Sequence, residues 1–126
     1  MKTVPTYEVR AYIGSVHGYN GEKFSKEELA EAISHYQIII EKGVALTIRL
    51  TPTSFVFQDY VEDGWEIAAI NYPRFPKKPP QIDDFMFGLS NYLLNRFKQN
   101  RMSIVSPSIT VLLECVNPEE NPKRAS

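Results

Sequence analysis

Cations interleaved with aromatic rings are the residues here whose types and spacing could recognise a ligand. Arg74, Lys77 and Lys78 fall within Asn71-Tyr72-Pro73-Arg74-Phe75-Pro76-Lys77-Lys78-Pro79-Pro80, a stretch with no acidic residue. An arginine offers a planar fork that matches carboxylate or phosphate, and a neighbouring ring such as Tyr72 can stack on a base. The prolines hold such a loop in few shapes, which lowers the entropy lost on binding. Two further arginines, Arg10 and Arg49, stand at polar positions of alternating apolar–polar runs, so adjacent strands would point both into one cleft. The opposing reading is that the arginines pair with Glu8 and Glu66 and that the loop is a solvated connector.

A second candidate segment is His17-Gly18-Tyr19-Asn20-Gly21. Its glycines permit positive φ and close backbone approach, but their spacing fits neither the phosphate-binding loop nor the dinucleotide fingerprint. The expected ligand-binding set is therefore Arg10, Tyr12, His17, Tyr19, Asn20, Arg49, Tyr72, Arg74, Lys77 and Lys78. No catalytic residue is assigned. The chain has two histidines and one cysteine, and none stands at a spacing that nucleophilic or metal chemistry uses. No metal and no cofactor is expected. Asp83 and Asp84 resemble a carboxylate pair, yet acids in a first helical turn are ordinary complements to the helix dipole.

Those side chains need strands and helices to position them. Thr6 to Ser15 alternates Tyr7, Val9, Ala11 and Ile13 with Glu8, Arg10 and Tyr12, which predicts a strand with one apolar face. Ser25-Lys26-Glu27-Glu28 is a capping box. It opens a helix with Leu29, Ile33, Tyr36 and Ile40 on one face, ending near Gly43. Three strands are predicted next: Val44 to Thr51, ended by Pro52; Phe55 to Val61; and, after an Asp63-Gly64 hairpin turn, Trp65 to Tyr72. A second helix is predicted over Gln81 to Asn100, with Ile82, Phe85, Leu89, Leu93 and Phe97 forming its apolar stripe. Met102 to Val105 and Ile109 to Val116 read as a closing strand or hairpin. Asn117 to Ser126 is polar and is expected to fray as a flexible tail.

The expected architecture is thus α+β over one domain, residues 1–116. It is a ferredoxin-like sandwich of order βαβββαβ(β), with a mostly antiparallel sheet and two helices on one face. The strands after the first helix are apolar in both phases, which asks for a second burial partner and predicts a homo-oligomer, a dimer or trimer.

Net charge −1 and pI near 6.1 exclude bulk coating of nucleic acid. A lone cysteine suits a reducing compartment, and no apolar run reaches membrane-spanning length, so the expectation is a cytoplasmic protein without membrane contact.

Ala11-Tyr12-Ile13-Gly14-Ser15-Val16 resembles the first-strand motif of the RNA-recognition family, and Thr53-Ser54-Phe55-Val56-Phe57-Gln58-Asp59-Tyr60 resembles its third-strand motif. Stacking on unpaired bases is what that resemblance implies. Thr53 and Ser54 stand where the family has a basic residue and glycine, and RNA is not the partner expected. In layout and size the chain resembles the trimeric ferredoxin-like proteins of the PII and CutA group, which bind nucleotides or other small anions between subunits, and the tautomerase-like trimers. Tautomerases use an N-terminal proline, whereas Lys2 follows Met1 here and the first proline is Pro5. The leading expectation is an oligomeric binding or regulatory protein for a small anionic ligand, with a nucleotide as one candidate. The alternatives are a small isomerase working at subunit interfaces through His17 or Tyr72, an RNA-binding module, or a protein-interaction module.

Overall fold

The structure, a computed structural model, describes residues 1–18, 21–44 and 46–116. The expected tail at 117–126 lies outside the described residues. Strand β1 spans Glu8–Gly14, helix α1 Lys26–His35, strand β2 Arg49–Phe57 and strand β3 Tyr60–Ile70. Helix α2 spans Pro79–Arg96, and strands β4 and β5 span Arg101–Val105 and Thr110–Glu114. The five strands form one antiparallel sheet in the order β2-β3-β1-β4-β5. The expected α+β class, antiparallel sheet and two helices are all present.

The expected meander is corrected in detail: two long strands stand between the helices in place of three short ones. Pro52 does not end a strand. It lies inside β2, paired opposite Trp65, because β2 is an edge strand and an edge tolerates a missing N–H. Asp63-Gly64 does not turn either. The turn is Gln58-Asp59, with Gln58 at φ 57°. Gly64 sits mid-strand, where a Cβ would collide with the Ile13 carbonyl and the Phe55 ring. Its missing side chain serves packing, and Asp63 accepts a cross-strand hydrogen bond from the Ser54 hydroxyl at 3.0 Å.

The period-two pattern of β1 sets the layers. Val9, Ala11 and Ile13 are buried, and their partners Ala69, Ile67 and Trp65 share that face. Met102 and Ile104 extend it across β4. On this face lie Leu29, Ala32 and Ile33 of α1 and Ile82, Phe85, Met86, Leu89, Leu93 and Leu94 of α2, forming one core. Each of the larger apolar side chains among these, fully buried, contributes about 1.5–3 kcal/mol.

Helix α1 starts as expected. The Ser25 hydroxyl accepts from the Glu28 amide at 3.1 Å and the Glu28 carboxylate accepts from the Ser25 amide at 3.2 Å. It ends differently. Tyr36–Ile40 widens into a π turn, closed by the Glu41 amide donating to the Tyr36 carbonyl at 2.8 Å. The extra residue in that turn rotates Ile40 off the apolar stripe, leaving it 48% exposed. Helix α2 opens earlier than expected, because Pro79 and Pro80 suit a first turn whose N–H groups lack partners. Asp83 is not half of a dyad: its carboxylate accepts the Tyr7 hydroxyl at 2.8 and 3.0 Å.

Beyond α2, buried Gln99 fastens three segments. Its Oε1 accepts from the Gly14 amide at 3.2 Å, and its Nε2 donates to the Val16 and Phe97 carbonyls at 2.8 and 2.9 Å. β4 and β5 then form a hairpin through Ser106-Pro107-Ser108. Cys115 is partly buried beside Asn100. No helix among the described residues is long and apolar enough to cross a membrane.

Candidate binding face of the sheet

The sheet face away from the helices carries Glu8, Arg10 and Tyr12 of β1, Glu66, Ala68 and Ile70 of β3, and Arg49, Thr51 and Phe55 of β2. Strand register dictates this grouping: Arg49 pairs with Ala68, which pairs with Arg10; Thr51 pairs with Glu66, which pairs with Tyr12. The alternation that buried Val9, Ala11 and Ile13 therefore delivers a polar cluster to the opposite face.

The Arg49 guanidinium holds the cluster together. Its Nη2 lies 3.2 Å from Glu8 Oε2 and 3.4 Å from Glu66 Oε1. Arg10 Nε lies 3.6 Å from the other Glu8 oxygen. The Tyr12 hydroxyl donates to Glu66 Oε2 at 3.2 Å. Phe55 stands edge-on to the Tyr12 ring at 5.9 Å. Ala68, between the two arginines in register, is fully buried on this face, as expected where aliphatic arginine stems lie over a small residue.

Electrostatics follow from these contacts. Burial, and then the nearby Glu66 carboxylate, hold the Tyr12 phenol above its ordinary value, with Arg10 opposing. The hydrogen bond to Glu8 raises the Arg49 guanidinium further, partial burial opposing it. Two carboxylates balance two guanidiniums. Both arginines are half-exposed, so each pair is worth about 1 kcal/mol or less in stability.

The predicted site residues thus separate into three places. Arg10, Tyr12 and Arg49 share the open face, with the arginines paired to Glu8 and Glu66. His17 lies past the Gly14 end of β1, stacked on Phe97 at 5.2 Å, edge-on to Phe24 at 5.5 Å, and 3.8 Å from a Glu28 oxygen. Tyr72, Arg74, Lys77 and Lys78 lie past the Ile70 end of β3, which pairs with Glu8 at the opposite end of β1. The intervening strand spans roughly 20 Å, so one chain does not gather His17 and the basic loop. Tyr19 and Asn20 lie outside the described residues.

In the basic loop, Arg74 sits over the Phe75 ring at 5.2 Å. The Lys77 amide donates to Asn71 Oδ1 at 2.9 Å, and Lys77 Nζ to the Phe75 carbonyl at 3.3 Å. The Lys78 amide donates to Gln81 Oε1 at 2.9 Å. Among the described residues no acid pairs with these three cations. Of the stretch resembling a third-strand RNA motif, Thr53 to Phe57 lies on edge strand β2, two strands from β1, and Phe55 packs against Tyr12. Glu66, the acceptor for both Tyr12 and Arg49, is the central residue that the binding set omits. Its pairing with an arginine is the opposing reading above; that Tyr12 shares it follows from register.

No family model and no curated protein sequence matches this chain. In fold it is similar to a phage SAM (S-adenosylmethionine) lyase. The structure of that lyase in complex with S-methyl-5'-thioadenosine aligns with a TM-score of 0.63 at 13% identity, covering 91% of this chain and 94% of that one. The apo structure of a phage SAM lyase aligns with a TM-score of 0.59 at 16% identity, covering 90% and 92%. At such identities the likeness is one of fold.

Proposed function

We propose that the chain binds a small adenosine-bearing molecule on the open sheet face, in a cleft completed by a second copy of itself. The observation that carries this reading is the Glu8–Arg49–Glu66–Tyr12 cluster. It is a hydrogen-bonded set of charges on a face that the chain's helices leave uncovered. An aromatic pair, Tyr12 and Phe55, adjoins it and offers stacking surface to a base. The fold likeness to a SAM lyase that binds S-methyl-5'-thioadenosine supports the ligand class.

The charge balance refines the anionic ligand expected from sequence. Both arginines are already paired with carboxylates, so a purely anionic ligand approaching them also meets Glu8 and Glu66, which repel it. A ligand carrying both signs exchanges partners with the cluster and leaves no charge unpaired. Support for a covering copy comes from the exposed apolar residues of the β2–β3 hairpin, Val56, Phe57 and Val61. The basic loop, whose cations pair with no acid among the described residues, then lies at the rim, suited to guiding a ligand in.

Calorimetric titration with S-methyl-5'-thioadenosine, S-adenosylmethionine and ATP tests this. The expected result is binding of the first two, weakened about tenfold or more by Arg49→Met or Tyr12→Phe, with ATP weaker. Failure of both adenosine ligands to bind at millimolar concentration overturns it. Incubation with S-adenosylmethionine, followed by chromatography for S-methyl-5'-thioadenosine, separates a binder from an enzyme. Native mass spectrometry reads the copy number, and a bare monomer removes the covering copy.

A further inference from the structure

On the opposite layer, between the end of α1 and the outer side of α2, lies a groove of about 590 Å³. We propose that it is a second binding site, for a small monocarboxylate with an aromatic or alkyl body.

Four features shape this groove. The π turn at Tyr36–Ile40 widens the end of the helix and sets Ile40 on the groove's rim. Such local departures from α geometry are frequent at functional sites. Gly88 lets the Tyr36 hydroxyl settle against α2, since a Cβ there would collide with it. That hydroxyl has no protein hydrogen-bond partner among the described residues, and no fully buried side-chain polar atom there lacks one, so it opens into the groove as a donor. Burial, with a smaller contribution from Glu41, holds the Tyr36 phenol above its ordinary value, which keeps it protonated.

The third feature is the cation. Arg96 Nη1 donates to the Tyr92 hydroxyl at 2.7 Å, and its guanidinium lies 5.9 Å from the Tyr92 ring centre. Among the described residues no acid stands within ion-pair distance of it. It is a guanidinium positioned by Tyr92 in the lining of an accessible groove, with N–H groups to spare for a carboxylate. The fourth is the wall. Tyr36 and Tyr92 pack at 5.5 Å, with His35 stacked behind Tyr92 at 6.1 Å, so with Ile40 they give the groove an aromatic and aliphatic wall. Asn91 and Asn95 also line the groove. A single cation in a groove with an aromatic wall selects an amphipathic anion over a polyanion or a neutral solute.

The test uses 2-naphthoate, with 2-naphthamide as a control of the same shape without the charge, both titrated into the intact protein by calorimetry and amide NMR. Naphthoate is expected to bind at least about tenfold tighter than naphthamide, with the largest shifts at Gly88 and Tyr36. Arg96→Gln, a surface change that leaves the core intact, is expected to abolish that preference. Gly88→Ala is expected to displace Tyr36 and weaken both ligands. Should that variant fail to fold, Tyr36→Phe takes its place, and it is expected to weaken naphthoate while leaving the trough open. Arg49→Met on the sheet face is expected to change neither titration, which keeps this site separable from the adenosine reading. Absence of naphthoate binding at millimolar concentration, or equal affinity in Arg96→Gln, overturns the proposal.

Discussion

The two faces of β1 are built from one strand and one pleat, and they are held by different physics. Val9, Ala11 and Ile13 are buried under both helices and contribute by withdrawing apolar surface from water. Glu8, Arg10 and Tyr12, one residue out of phase, carry charges that satisfy one another in half-exposed positions. The first face makes the fold stable. The second adds little stability while retaining charge and hydrogen-bonding capacity, which is the condition a binding surface needs.

Substitutions on either face test that contrast. The largest effect is expected on the covered side: Leu89→Ala should lower unfolding free energy by about 2–5 kcal/mol, read by urea denaturation. Next comes Gly64→Ala, expected to cost about 1–3 kcal/mol, because the added methyl meets the Ile13 carbonyl and the Phe55 ring. Circular dichroism melts should show the cost, and the Phe55 ring should swing away from Tyr12.

On the open face, Glu66→Gln should cost about 1 kcal/mol or less, while the Tyr12 phenol titrates closer to its ordinary 10.0, read by ultraviolet absorbance. A loss as large as that of Leu89→Ala would make this face structural and erase the contrast.

The alkaline limb of stability provides a finer measurement. Tyr7, Tyr12 and Tyr36 all hold their protons above the ordinary 10.0, chiefly through burial. Above that value the native state binds more protons than the unfolded chain. Stability is therefore fully present below about pH 10 and falls as pH rises through the folded values. Tyr12→Phe should make that fall shallower by one group. The smallest effect is expected at the rim: Arg74→Ala should change stability by about 0.5 kcal/mol or less, while slowing association of a charged ligand in low salt.

Local chemistry makes much of this fold legible in the sequence. The Ser25–Glu28 cap depends on residues three apart, and the β1 alternation and α2 stripe are periodicities within single elements. What the sequence hides is decided at long range. Asp63-Gly64 has turn chemistry, yet the Gly64 position is dictated by the Ile13 carbonyl and the Phe55 ring, which sequence does not place beside it. Pro52 reads as a strand end until the strand is known to be an edge. The π turn likewise begins at Tyr36, which lies against Gly88 of a different helix, a contact that sequence does not place.

The candidate face is partly visible for the same reason. Period two puts Arg10, Tyr12 and Arg49 in the polar phase, and pairing with Glu8 and Glu66 is the opposing reading of the arginines. Only register makes Glu66 the shared acceptor. His17 and the basic loop look equally suitable as residue types, but they stand at opposite ends of β1.

Pro52 has one more consequence. It occupies the outer strand of the sheet, where it lacks the N–H that an incoming strand would need, and the other outer strand, Thr110–Glu114, is only five residues long. Neither border is a good template for adding strands from another molecule. Runaway edge-to-edge growth into fibrils is thereby discouraged.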